Sequence, residues 1–425
     1  MYKFLRCLSP KSRIENYFYL AILVYTFGEI LYANDLYIPA EVLRLSSSIT
    51  FFILILVNLN NVRNPHSLSY YLLLLWMVII TFMMLVASGR NSVFNAPIKR
   101  IIADIFLSPQ FIPSLFPLTI LMFRANRFLD IYYFKKLCLI LAWAYILFYP
   151  FAFYNMITFD WTMDRQMWGD NTEGSYSDFF LNSSLGINYI LPPITLLFWK
   201  KYLSKFEWYL ILSTCIGALL IYLYTARRGL SFMLIISFVA CWGVYLLYNK
   251  DKSKLKYFVP VLFLVLIGFN VYDTVANTFL ETILERGFSD TRSGVEESFY
   301  KDVTGIEALI GRGWYGAYYE PVFGTHRREM ETGYLALVLR GGWIYLVLYL
   351  SVLLYSAYLG LFYSKNLMAK SFSAIILLHI VDLYPHGWPS FSLYYMSIWI
   401  GVYFCLFKPY RRLTDRQVSR LFFHK

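Results

Sequence analysis

Residues 207–248 read EWYLILSTCIGALLIYLYTARRGLSFMLIISFVACWGVYLLY, two apolar runs joined by a short basic segment. Glu207–Ala226 and Gly229–Tyr248 each supply about 20 residues, enough for a helix to cross ~30 Å of hydrocarbon. The adjacent cations Arg227 and Arg228 fall at the tip of this membrane hairpin. The side of the membrane on which the tip lies decides what they can do.

The whole chain continues this pattern. Of its 425 residues, 59% are hydrophobic, and the mean hydropathy is +0.52. A soluble domain carries roughly 45–50% apolar residues. Aromatics make up 20% and gather near the ends of apolar runs, as interfacial belts do. There is no internal repeat and no low-complexity tract, so residues 1–425 read as one integral membrane domain. The basic N-terminus MYKFLRCLSPKSR leads into Tyr17–Ala33 with no small-residue cleavage site, which makes that run the expected first span. Cys7, Cys138, Cys215, Cys241 and Cys405 have neither zinc-site nor disulfide-framework spacing.

About twelve spans satisfy a ~20-residue criterion. They fall near 17–33, 45–60, 69–88, 101–123, 136–155, 180–199, 207–226, 229–248, 257–275, 342–363, 371–386 and 391–407. The expected fold is an all-α polytopic membrane protein. Lysine and arginine collect in alternating segments: the N-terminal tail, RANRFLDIYYFKK, KKYLSK, NKDKSKLK, YSKNLMAK and the tail KPYRRLTDRQVSR. By the positive-inside rule these segments and both termini are cytoplasmic. The acidic segments, including the long one over residues 276–332, face outward. The net charge of +12 is then a topology signal, and nucleic acid is not an expected partner. The bilayer is. Arg227 and Arg228 lie outside, where they either snorkel to the interface or hold an anion.

The outer segment is not a disordered linker. TRSGVEESFYKDVTGIEALIGRGW predicts a helix, with Ser293 and Glu296 at capping-box spacing. Val295, Phe299, Val303, Ile306 and Ile310 give it an apolar face, and Gly311 and Gly313 end it. Arg292 precedes its first turn, an arrangement that suits phosphate; pairing with Asp290 or Glu296 is the alternative. Arg312 stands between glycines, where backbone can approach a ligand closely. His326, Arg327, Arg328, Glu329 and Glu331 then crowd together before the chain returns to the membrane at Tyr334. Both signs and a histidine suit acid–base work beside an anion. TGYLALVLR is too short to span and reads as an interfacial helix turning at Gly341–Gly342 into the next span. Trp161, Trp168, Trp314 and Tyr318, with Tyr334, offer rings for stacking on sugars, although interfacial anchoring is the commoner role of each such aromatic alone.

Arginine grips phosphate oxygens in a bidentate fork, and a pyrophosphate leaving group needs that as charge develops. Arg227 or Arg228, Arg292 and Arg312 supply the cations; Glu331 or His326 supplies a base for a hydroxyl acceptor. There is no P-loop, HExxH, GxSxG or metal-ligand spacing, so no cofactor and no metal are expected.

These parts, in this order, resemble the O-antigen polymerase and O-antigen ligase superfamily of bacterial envelope enzymes. The motifs that carry the resemblance are TARRGLSF, TRSGVEESF, IGRGWYGAYY and METGYLALVLRGGWIYL, all between about residues 222 and 350. The N-terminal half is similar only in its hydropathy profile. The resemblance implies a GT-C-like glycosyltransferase of the bacterial inner membrane, acting without metal at the periplasmic face on undecaprenyl-pyrophosphate-linked oligosaccharide. A chain-length regulator protein is the implied protein partner. The family's junction arginine falls on Arg227 or Arg228 and its loop arginine on Arg292. Ligases carry His-Asn just before the return to the membrane; this chain has Glu331-Thr332, a departure that favours polymerase over ligase. A lipid-linked oligosaccharide transporter is the reading from another class, and repeated halves with broken helices would mark it.

Glu29, Asp104, Asp273, His379 and Asp382 lie in or at the ends of apolar runs, where ionisable residues are costly. His379 and Asp382, at i and i+3, share a helix face. They read as a structural hydrogen-bonding pair or as a site orienting the acceptor glycan.

Overall fold

The computed structural model describes residues 13–33, 36–59, 79, 131–158, 194–224, 228–249, 293–321, 324–328, 330, 332–384 and 393–423. Within these the protein is mostly helical. The chain runs through α1 (Arg13–Ala33), α2 (Tyr37–Leu59), α3 (Ile131–Thr158), a 3-10 turn (Lys200–Tyr202), α4 (Lys205–Tyr224) and α5 (Arg228–Asn249). The loop segment holds α6 (Ser293–Asp302), α7 (Gly305–Ile310), β1 (Tyr318–Glu320) and β2 (Thr325–Arg327). Then follow α8 (Gly333–Phe362), α9 (Leu367–Asp382), α10 (Leu393–Leu406), α11 (Lys408–Arg412) and α12 (Asp415–Phe422).

Helices α1 to α5 and α8 to α10 coincide with eight of the twelve expected runs, within a few residues at most ends; α2 and α8 start eight and nine residues early. The runs near 101–123 and 257–275, nearly all of 69–88 and most of 180–199 lie outside the described residues. Among the described residues, two helices are long and apolar enough to cross a membrane, Lys205–Tyr222 and Gly333–Phe362. Their outward faces are apolar too. Phe206 (64% exposed), Tyr209, Ile216 and Leu220 form a stripe along α4, and Val347, Leu354, Tyr358 and Phe362 form one along α8. A helix in water shows charges on that face; a helix apolar all round is a core or membrane helix.

Polar contacts fix the directions in which the helices run. Helices α3 and α4 run in parallel. Lys135 pairs with Glu207 at 2.8 Å near their starts, and further along Tyr149 donates to the carbonyl of Thr214. Helices α8, α9 and α10 pack on one another, with α5 against α9. The N–H of Gly333 at the start of α8 meets the carbonyl of Leu383 just past α9, at 2.7 Å. At the opposite end of the bundle, Ser373 in α9 lies 3.5 Å from Cys405 in α10. Trp199, edge-on to Phe372 at 5.5 Å, anchors the buried core there.

That second end is tied by one carboxylate. Asp415 accepts from Lys201 Nζ (2.6 Å), the Tyr202 hydroxyl (2.6 Å), the Tyr248 hydroxyl and the N–H of Leu367 (2.9 Å). It thereby joins the 3-10 turn, the end of α5, the start of α9 and the C-terminal helix.

Candidate functional site

The loop segment lies along the first part of α8. Helix α8 is broken at Gly342, whose φ of 73° and ψ of 178° are outside helical values. The break divides the expected short helix, 333–341, from the run that follows. The short helix is also buried within the protein. Leu335, Ala336, Leu337, Val338 and Leu339 are all at most 4% exposed, because the loop covers it.

Backbone meets backbone at the break. The N–H groups of Arg312 and Gly313 donate to the carbonyls of Leu339 (2.7 Å) and Arg340 (2.9 Å). A Cβ on Gly342 would fall 1.9 Å from the Leu309 carbonyl oxygen, and one on Gly311 2.5 Å from the Arg340 carbonyl. The IGRGW segment can therefore dock on LRGG only with glycine on both sides.

The loop helix expected over 293–310 is two helices. The chain breaks after Asp302 and restarts at Gly305, which resets the phase of the apolar face. Phe299 and Val303 stay buried, whereas Ile306, expected on the same face, is 61% exposed. Glu296, expected to close a capping box on Ser293, accepts the Thr332 hydroxyl at 2.7 Å.

Arg312 is held inside the loop. Its Nη1 donates to Asp302 Oδ2 (2.5 Å) and the Ala317 carbonyl, its Nη2 to the Asp302 carbonyl, and its Nε to Glu307 Oε2 (2.8 Å). Four hydrogen bonds engage a guanidinium that has five N–H groups. Three of these bonds tie it to Asp302 and Glu307, so the geometry is that of a brace within the loop. Burial alone would raise the Asp302 carboxyl. The hydrogen bonds from Arg312 and from the Tyr319 N–H, with the Arg312 charge, outweigh that and hold it below its usual range.

The described stacking candidates are likewise engaged. Tyr318 is fully buried and packs edge-on to Phe299, so it presents no face to a sugar. Trp314 is 9% exposed and lies under Arg340, whose guanidinium carbon is 5.0 Å from the ring centre. Tyr334 donates its hydroxyl to the Ile380 carbonyl. His326 is exposed on β2, its ring 5.4 Å from that of its cross-strand partner Tyr319. On the other face of this hairpin Arg327 pairs with the buried Glu320 at 2.7 Å.

Arg227, Arg292, Glu331, Trp161 and Trp168 lie outside the described residues, as does the side chain of Arg228, whose backbone opens α5. The neighbours of two of them are described. Ser293, after Arg292, starts the helix whose Glu296 binds Thr332, the residue after Glu331.

Two features escaped the sequence reading. Arg340, over Trp314, adds a cation beside the helix break, in company with Arg328 of the charge cluster already named, which lies 4.9 Å from the Tyr315 ring centre. The signal for Arg340 was a lone arginine inside LALVLRGGW. The second is the partner of His379. Its Nε2 lies 2.9 Å from the Tyr349 hydroxyl, and no hydrogen bond joins it to Asp382, so the expected His379–Asp382 pair is replaced by a tyrosine contact from another helix.

The chain matches no protein-family model, no curated protein and no solved structure.

Proposed function

We propose that the chain is an all-α polytopic protein of a bacterial inner membrane, with about twelve spans, that joins lipid-linked sugar repeat units at the outer face. Three facts support the membrane reading. The exposed faces of α4 and α8 are apolar. The basic segments around Lys201, Leu367 and Asp415, expected on one side, converge on a single carboxylate. The acidic loop segment docks at the opposite end of the bundle.

The observation that carries the chemistry is the Glu296–Thr332 hydrogen bond. It holds the first turn of the helix that follows Arg292 against Thr332, the residue after Glu331, although the two are far apart in sequence. In this reading Arg228 and Arg292 stabilise the departing undecaprenyl pyrophosphate, with Arg227 anchoring the hairpin. Glu331, or His326 from the neighbouring hairpin, takes the proton of the acceptor hydroxyl, and the anomeric centre inverts. Arg312 braces the loop and does not bind the leaving group. Trp314, Tyr318 and Tyr334 pack it.

The test is elongation of purified undecaprenyl-pyrophosphate-linked repeat units by the full chain in liposomes. Elongation lost in Arg228→Ala and Arg292→Ala, at unchanged protein level, is the expected result; normal chain length in both overturns the assignment. Translocation without elongation identifies a transporter. In cells, deletion of a polymerase leaves single repeats on lipid A, whereas deletion of a ligase leaves polymer on the carrier lipid.

A further inference from the structure

Directly beneath the contact between α8 and α9 lies a buried polar cluster drawn from three helices. His379 (3% exposed) and Asp382 come from α9, Tyr349 from α8 and Tyr394 from α10. The imidazole Nε2 meets the Tyr349 hydroxyl at 2.9 Å. Its Nδ1 and the Tyr394 hydroxyl, both in residues at most 5% exposed, meet no hydrogen-bonding partner among the described residues. The rings of Tyr394 and His379 are 5.7 Å apart, and Asp382 is one helical turn from His379. Among the described residues, Tyr395 on α10 is a further titratable group beside the imidazole, its ring 6.5 Å away, and Tyr345 on α8 lies beside Tyr349.

Each unpartnered buried polar atom costs roughly 1–3 kcal/mol, and an apolar core has no use for two side by side. Ionisable groups at this depth in a helix bundle mark functional sites. The position matters as much as the chemistry. Tyr334 bonds to the carbonyl after His379, and Gly333 bonds to the carbonyl after Asp382. The cluster therefore adjoins the point where the chain returns from the loop, two residues past Glu331.

We propose that His379, backed by Asp382 and with Tyr394 beside it, receives the proton released by the acceptor sugar hydroxyl, in place of Glu331 or His326. The inference rests on the glycosyl-transfer reading above. With Nε2–H donating to the Tyr349 oxygen, Nδ1 keeps a lone pair and the Tyr394 hydroxyl steadies the incoming oxygen. The acceptor O–H bond breaks and its proton goes to Nδ1. The freed electron pair forms the new bond to the anomeric carbon. The bond from that carbon to the lipid pyrophosphate breaks, and its electrons stay on the phosphate oxygen. Asp382 balances the charge of the imidazolium.

The experiment measures initial elongation rate against pH for the full chain in liposomes, with undecaprenyl-pyrophosphate-linked repeat unit as donor and acceptor. In His379→Gln the expected loss of kcat is about 100-fold or more, with KM for the donor unchanged and the acid limb of the pH profile abolished. Tyr394→Phe, which removes one oxygen and keeps the ring, should lose about 10-fold and shift that limb. A folded His379→Gln protein that elongates with the wild-type pH profile overturns the inference while the polymerase reading stands. If His379→Gln does not fold, an unchanged rate and profile in Tyr394→Phe overturns it. Failure of the unmodified protein to elongate overturns both.

Discussion

The Thr332 hydroxyl donates to Glu296 Oε1 at 2.7 Å across 36 residues of sequence. Thr332 is the residue from which α8 starts, so this bond fixes the loop's first helix against the start of the following one. Thr332→Val removes the donor and leaves a carboxylate short of a partner, at a cost of about 1–3 kcal/mol. The expected outcome is a modest fall in melting temperature with a much larger fall in elongation, measured on the same preparation.

The glycines facing each other at the helix break should be intolerant. Gly342→Ala puts a Cβ 1.9 Å from the Leu309 oxygen at a φ of 73° that suits glycine alone. Strain of this kind costs about 1–3 kcal/mol before the clash is counted. Gly294→Ala, with nothing within 4 Å of its Cβ, is the control. Protease cleavage in the loop should rise sharply in the first variant and stay at the wild-type level in the second.

Arg312 separates bracing from catalysis. Arg312→Gln should lower stability by roughly 2 kcal/mol, a figure reduced for the partial exposure of Asp302 and Glu307. Its elongation rate, per folded molecule, should stay within a few-fold of wild type. The Asp302 carboxyl is depressed in the folded state. Its contribution is therefore complete above its unfolded value of about 3.9 and is lost as the pH falls through its lower folded value. Melting temperature against pH should show a shallower acid decline in Arg312→Gln than in the unmodified protein.

Asp415→Asn tests the tie at the other end. The burial of Asp415 raises its carboxyl, and contacts from Lys201, Tyr202, Tyr248 and the Leu367 N–H more than reverse this. An amide loses the charge and cannot accept from all four donors. Hydrogen exchange at Leu367 and through Asp415–Phe422 should accelerate, while exchange in the loop segment stays unchanged.

Much of the fold was legible because apolar run length and glycine punctuation are local signals. The runs at α3, α4, α5 and α10 and the break at Gly341–Gly342 could all be read this way. The misread parts depend on distance in sequence. Asp302, Glu307 and Arg312 are each ordinary charges until two short helices and a turn bring them together. The break before Gly305 could not be seen in a pattern that ran on with helical spacing on both sides. Nothing local sets Asp415 apart, since it is one acid within the basic tail KPYRRLTDRQVSR. The unpartnered nitrogen of His379 became visible only once Tyr349 and Tyr394 arrived from other helices.

The knot at Asp415 has a mechanical corollary. It pins Tyr248 near the end of α5 to the start of α9 and to the tail. Tyr248 is therefore a pivot, and α5 is a lever whose far tip is Arg228. The 20 residues between them span about 30 Å at ~1.5 Å each, so a tilt of about 5° swings the tip by roughly 2.6 Å. A hydrogen bond is made or broken over less than that distance. Under the function proposed above, small rocking of α5 about this fixed end is therefore enough for Arg228 to take or release a phosphate without loosening the knot at Asp415.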